Sequence, residues 1–264
     1  MNAPTLFHTA LMALLVLLPG VPAFALTDAE AVNMSGLQRM LSQRTAKTWL
    51  MLGQGVKVLE AREQRTKSVA LFDNNLKTLK EYAPTPEIRE SFAKVEAVWG
   101  GYKTRILGSP DKSEALKMLR QSDELLKLGE AAVKQIQDHT GVANARLVNV
   151  SGRQRMLSQR IARLYLTKSW GLSYEGLDKD FQTAMQEYEN GLNELKGNPQ
   201  NTPEISQGLA RVQSLWKFSR AGFELSKEEL YVPTAICGTT ENLLKHMQGI
   251  TKLYEVEMQR VASR

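Results

Sequence analysis

Asn33-Met34-Ser35-Gly36-Leu37-Gln38-Arg39-Met40-Leu41-Ser42-Gln43-Arg44 returns later in the chain as Asn149-Val150-Ser151-Gly152-Arg153-Gln154-Arg155-Met156-Leu157-Ser158-Gln159-Arg160. Two of the twelve positions differ, so the chain carries an internal duplication. The register continues outward from the box. Thr85-Pro86-Glu87-Ile88 is answered by Thr202-Pro203-Glu204-Ile205, and Trp99 by Trp216. Asp123-Glu124-Leu125-Leu126-Lys127 likewise resembles Glu241-Asn242-Leu243-Leu244-Lys245. What is repeated is a domain rather than a short motif, with copy 1 expected over 26–140 and copy 2 over 141–264.

Both copies have the period of helices. Val69, Phe72, Leu76 and Leu79 in one, and Met185, Tyr188, Leu192 and Leu195 in the other, fall three and four residues apart. Thr27 followed by Glu30 forms a capping box, and Thr85-Pro86 and Thr202-Pro203 place a capping hydroxyl before a proline at the first helical position. Breaks near Gly53 and Gly55, at Ala83-Pro84, near Gly108-Ser109-Pro110 and at Gly141 divide copy 1 into helices over 27–53, 58–82, 86–107 and 110–139. Four more follow in copy 2. The expected fold class is all-α, two tandem four-helix up-down bundles. An even number of antiparallel helices returns the chain to its starting end, so the first helices of both copies run parallel. They can then pack about a pseudo-twofold axis, as the halves of a dimer do.

Residues 1–25 read as a signal peptide, because the apolar run Leu11 to Leu18 precedes Ala23-Phe24-Ala25, a small-x-small cleavage pattern. The run is shorter than the ~20 residues a membrane span needs, and no later segment is apolar enough. The expected location is the periplasm. About 240 remaining residues suffice for two cores. A single cysteine, Cys237, provides no disulfide, so packing must hold the fold. The net charge of +6, with both signs interleaved, suits an anion-friendly surface rather than a nucleic-acid binder.

On a helical wheel, Met34, Leu37, Leu41, Thr48 and Leu52 gather on one side and fit a core. The opposite side is a stripe of Ser35, Arg39, Ser42 and Ala46, with Gly36 and Gln43 alongside; copy 2 repeats it with Ser151, Arg155, Ser158 and Ala162, beside Gly152 and Gln159. Small residues admit a second helix closely, and an arginine among them is desolvated. Such a guanidinium needs oxygen partners, since an unpaired buried charge costs several kcal/mol. Its planar fork suits a trigonal oxyanion or a carboxylate. The candidate ligand-binding residues are therefore Arg39, Arg155, Gly36, Gly152, Ser35, Ser151, Gln43 and Gln159. Pairing of both arginines with Glu or Asp on neighbouring helices is the competing reading. Arg44, Arg160, Lys47 and Arg163 read as solvated or structural ion-pair residues, Trp99 and Trp216 as core anchors, and Met40 and Met156 as packing residues.

Catalysis has little support. The histidines past the leader, His139 and His246, sit in no metal-ligand pattern, and there is no phosphate loop, GxSxG elbow or repeated carboxylate pair in metal-binding spacing. No enzyme activity, metal or cofactor is expected.

The box Asn-x-Ser-Gly-x-Gln-Arg-Met-Leu-Ser-Gln-Arg resembles the hallmark of the PilJ-type sensory domain of type IV pilus chemotaxis transducers, and is similar to the periplasmic domain of the NarX and NarQ nitrate/nitrite sensor kinases. The resemblance covers nearly all of the chain past the leader, strongly in the boxes and more weakly between them. It implies a four-helix bundle in which first helices meet and an arginine from each grips one nitrate beside a glycine. Those positions match Arg39 and Arg155, with Gly36 and Gly152. One chain would then supply both halves of the site. The boxes follow the PilJ pattern more closely than that of the nitrate sensors, and Arg153 stands where copy 1 has Leu37. Family members lie between two membrane spans and signal onward, whereas this sequence ends at Arg264 without a second span. The expectation is a periplasmic sensory or ligand-binding protein for a small oxyanion, nitrate or nitrite first, or a carboxylate. Its state would pass to a membrane receptor or sensor kinase. The alternative is a ligand-free helical interaction module accessory to a chemoreceptor, pilus or sensor kinase.

Overall fold

A computed structural model describes residues 26–142, 144–225 and 230–262; the expected leader, 1–25, lies outside them. The described residues are all-α. Copy 1 supplies α1 (Asp28–Gly53), α2 (Val58–Tyr82), α3 (Pro86–Leu107) and α4 (Ala115–Thr140), and copy 2 supplies α5 (Ala145–Ser169), α6 (Leu177–Lys196), α7 (Pro203–Leu225) and α8 (Pro233–Ala262). A single 3₁₀ turn, Lys112–Glu114, precedes α4, because Asp111 turns back to accept from the Ser113 amide and delays the start of that helix. The expected 110–139 segment therefore becomes a turn and a helix.

The local signals act as their chemistry requires. Thr27 and Glu30 form the reciprocal capping box of α1. Thr85 caps the Ile88 amide with Pro86 in the first turn of α3, and Thr202 caps Ile205 in the same way. Within each copy neighbouring helices run antiparallel. Lys80 meets Glu96, Asp73 meets Trp99 and Arg65 meets Ile106 along α2 and α3. Arg39 reaches Glu130 and Gln43 reaches Ser122 along α1 and α4. Trp99 stacks on Phe72 at 3.7 Å and Trp216 on Tyr188 at 4.3 Å, so both tryptophans are core anchors. Each indole also donates to an acid of the neighbouring helix, Asp73 or Glu189.

The wheel reading of one core face on α1 needs correction. Ser35, Arg39, Ser42, Gln43, Lys47, Leu41 and Trp49 are all buried, so α1 is enclosed around most of its circumference, and α5 likewise. The reason is the neighbours: α1 packs against α2, α4, α5 and α8, and α5 against α1, α6 and α8. Met34, Leu37 and Leu52, expected in the core, are only partly buried.

The first helices meet in parallel. Arg155 reaches Asn33 and Arg39 reaches Asn149 in the first halves of the two helices, and Trp49 meets Trp170 near their ends with ring centroids 5.9 Å apart. The approach is close enough that a β-carbon on Gly53 would lie 2.3 Å from the Trp170 ring. Between the copies the contacts are reciprocal. Lys47 of copy 1 pairs with Glu241 of α8 at 2.7 Å, and Arg163 of copy 2 pairs with Asp123 of α4 at 2.8 Å. Exchanging the labels of the copies reproduces each contact, as an isologous interface demands. No described helix is long and apolar enough to cross a membrane.

Candidate functional site

The small residues of the box let α1 and α5 approach until their arginines share one space. A β-carbon on Gly36 would lie 3.2 Å from Arg39 Nη2 and 3.6 Å from Arg155 Nη2; one on Gly152 would lie 3.1 Å from Arg155 Nη2 and 3.5 Å from Arg39 Nη2. Both guanidinium tips thus sit over both glycines. Each is sealed from solvent, with Arg39 1% and Arg155 0% exposed.

Each arginine bonds across the seam. Arg39 Nη2 donates to the Asn149 carbonyl at 3.3 Å and to its side-chain oxygen at 2.8 Å, and Arg155 Nη2 donates to the Asn33 carbonyl at 3.2 Å. The other arm turns to the last helix of its own copy, and here the copies part. Arg39 Nη1 donates to a carboxylate, Glu130 Oε2, at 2.6 Å. Arg155 Nη1 donates to a neutral amide oxygen, Gln248 Oε1, at 2.7 Å. Glu130 also receives Arg153 at 3.0 Å, and Arg153 reaches on to Glu187 at 3.2 Å.

Charge is therefore balanced around Arg39 and unbalanced around Arg155. The acid whose charge acts on Arg155 is Glu255, which is already engaged by Asn33 and Lys252. Burial, then the proximity of Arg39, lowers the Arg155 guanidinium to about 9, with Glu255 opposing. Arg39 is lowered by burial too, but the Glu130 carboxylate works against that shift.

The remaining expected site residues lie elsewhere in the same helices. Gln43 Nε2 donates to the Ser122 carbonyl and hydroxyl at 3.1 Å, and Gln159 Nε2 donates to the Thr240 carbonyl at 3.4 Å, so both brace α1 to α4 and α5 to α8. Ser151 bonds the Val148 carbonyl, while the Ser35 hydroxyl is buried without a partner among the described residues. Lys47, Arg163 and Arg44 are structural ion-pair residues, Arg44 joining Lys47 on Glu241. Cys237 is a free, buried thiol.

Sequence reasoning missed Glu130, Gln248 and the two asparagines. The sequence signal for the first two is their position: they stand four residues beyond Leu126 and Leu244, in segments that resemble each other.

Two like units of helices, joined through a seam that carries their polar groups, define a duplicated helical-bundle module. The family comparison gives the module its place: the Type IV pili methyl-accepting chemotaxis transducer N-terminal family, PilJ, matches residues 23–132 and again 141–235. The chain belongs to that family, and its two matches fall one on each copy. The likeness to the NarX and NarQ sensors read from the boxes is not part of this match. No curated protein and no solved structure was found to match the chain. The family is one of signalling domains, so a sensory or signalling role follows at that level.

Proposed function

We propose that the chain is an exported sensory protein of the periplasm that binds a small oxyanion in the seam between its repeats and hands its state to a membrane receptor or sensor kinase. The observation that carries this reading is Arg155, wholly buried yet bonded only to a neutral amide and a backbone carbonyl. A buried guanidinium without a counter-ion is costly, and an anion that supplied the missing charge would stabilise the folded chain. Gly36 and Gly152 keep the space above both arginines free of β-carbons. Nitrate and nitrite fit the size and single charge, as do formate and acetate.

Calorimetry and thermal shift with sodium nitrate, nitrite, formate and acetate at constant ionic strength test the proposal. The expected result is a rise in melting temperature with at least one of them at millimolar concentration, lost in Arg155→Gln. Absence of any response to all four anions would refute it.

The ligand-free alternative draws on one observation: each guanidinium already has a protein acceptor on both arms. On that reading the arginines tie the copies together, and a receptor is captured equally well with and without anion.

A further inference from the structure

A cavity of about 410 Å³ opens between α1 and α8, against the middle of α2 at Leu71. Leu37, Met40, Leu71 and Leu244 make its apolar wall, and Lys245 and Gln248 its polar one. The volume is within the range of small-molecule sites. Gln248 is the same side chain whose amide oxygen accepts from Arg155 at 2.7 Å. The cavity therefore ends on the residue that separates it from the uncompensated guanidinium.

The other copy shows what belongs at that position. There Glu130 puts a carboxylate oxygen 2.6 Å from Nη1 of Arg39, and Arg153, standing where copy 1 has Leu37, spans from Glu130 to Glu187 across the corresponding side. In copy 1 that arginine is replaced by an apolar side chain, and in copy 2 that acid is replaced by an amide. Both changes fall on the lining of one cavity, Leu37 on its apolar wall and Gln248 on its polar one. They remove a built-in carboxylate and leave apolar surface in place of an ion-pair bridge.

We infer that the α1–α8 cavity is a binding site for an apolar-bodied monocarboxylate, whose acid group displaces the Gln248 amide and takes the role toward Arg155 that Glu130 plays toward Arg39. This rests on the oxyanion reading of the seam and names the ligand class and its route. Gln248 lies exposed on α8, so its amide can turn outward to water at little cost. Charge agrees with a single acid group. Glu241 on the rim is already shared by Arg44 and Lys47, whereas Lys245 has no acidic partner among the described residues. The body of the ligand would cover Leu71, which is 39% exposed.

The test is calorimetry on the full chain with nitrate, acetate, hexanoate and benzoate, for the unaltered protein, Leu37→Arg, Leu71→Glu and Gln248→Glu. Hexanoate or benzoate is expected to bind at least tenfold tighter than acetate. Leu37→Arg installs the residue that copy 2 carries and removes that tenfold gain while nitrate and acetate bind as before. Leu71→Glu, at an exposed position, gives the same loss should Leu37→Arg fail to fold. Gln248→Glu supplies an internal acid and loses all four anions. If nitrate and acetate bind but the longer acids bind no tighter, the cavity proposal falls and the seam reading stands. If the gain survives both cavity variants, the cavity is likewise excluded. If none of the four anions binds, the cavity proposal falls, and the seam reading falls with it when nitrite and formate are silent as well.

Discussion

Glu130 and Gln248 hold the same place in the two repeats and accept from the same arm of the same box arginine, at 2.6 and 2.7 Å, yet one is an anion and the other is not. Their side chains differ by one atom type, so the shape of the seam is preserved and only its charge changes. That makes the pair a natural internal control. Whatever the buried arginine costs without an acid, copy 2 bears it and copy 1 does not.

Exchanging the two residues should move stability in opposite directions. Glu130→Gln leaves Arg39 buried with neutral acceptors and also strips Arg153 of one partner, and about 2–3 kcal/mol of stability should be lost. Gln248→Glu gives Arg155 a charge-assisted bond in place of a neutral one, a gain of about 1 kcal/mol. At roughly 2–4 °C per kcal/mol for a chain of this size, both shifts are measurable by thermal denaturation. Loss of stability in Gln248→Glu would show that Arg155 does not lack a counter-ion.

The duplication, the helix count and the convergence of the two arginines were legible because they depend on periodicity and on a box that repeats almost unchanged. The enclosure of α1 and α5 was not, since a wheel shows one helix and cannot say how many others surround it. Lys47 and Arg163 illustrate the limit. Both read as solvated or structural ion-pair residues with no partner named, and both prove fully buried, each paired with an acid on the other copy's last helix. Pairing of that kind depends on which helices become neighbours, which no local pattern encodes. The difference between Glu130 and Gln248, by contrast, was plain in the sequence. Its meaning needed the arginine that each one faces.

Anion affinity should depend on pH in one window. Burial and the neighbouring Arg39 lower Arg155 to about 9, whereas the unfolded chain keeps the ordinary arginine value. Below about 9 both states are protonated, and the folded state carries the full cost of the buried charge. Above it the folded protein releases a proton that the unfolded chain retains, so this group's penalty is relieved and its contribution to stability rises with pH. The bound anion requires the charged form. Affinity is therefore expected to be flat from pH 7 to 8.5 and to fall by about tenfold per unit beyond 9. Calorimetry across pH 7–10 checks this, and an unchanged affinity at pH 10 would place the anion elsewhere.

Gly36→Ala and Gly152→Ala separate space from stability. Either methyl would sit 3.1–3.2 Å from one guanidinium nitrogen, in a seam where both arginine tips are pinned by hydrogen bonds. Replacing a mid-helix glycine by alanine favours the helix by about 1 kcal/mol. Crowding costs about 1–3 kcal/mol. The net change in stability should therefore be small, within about 2 kcal/mol, while anion binding weakens at least tenfold because the added carbon fills the space above the guanidinium groups. Equal anion affinity in both alanine variants, measured by calorimetry, would exclude that space as the binding position.

The cross-repeat ion pairs should matter more than their number suggests. Arg163 is 0% exposed and meets Asp123 of the other copy at 2.8 Å, with the Leu119 carbonyl at 3.5 Å as its other neighbour. Burial pushes this guanidinium down, but the Asp123 charge, with smaller contributions from Tyr174 and Tyr102, outweighs it and the net shift is upward. Its protonated form is thus stabilised by one carboxylate that belongs to the opposite repeat. Asp123, 39% exposed, is partly screened by water, so Asp123→Asn, which keeps the shape and removes the charge beside a buried cation, should cost about 1–2 kcal/mol. An exposed pair such as Lys134–Asp138, 70% and 53% exposed, offers the control: Asp138→Asn should leave the denaturation midpoint within error of the unaltered chain. Urea denaturation of both variants settles the contrast. If Asp123→Asn proved as silent as Asp138→Asn, the Arg163–Asp123 pair would contribute nothing to holding the copies together, and the seam would rest on apolar packing and on its remaining polar contacts.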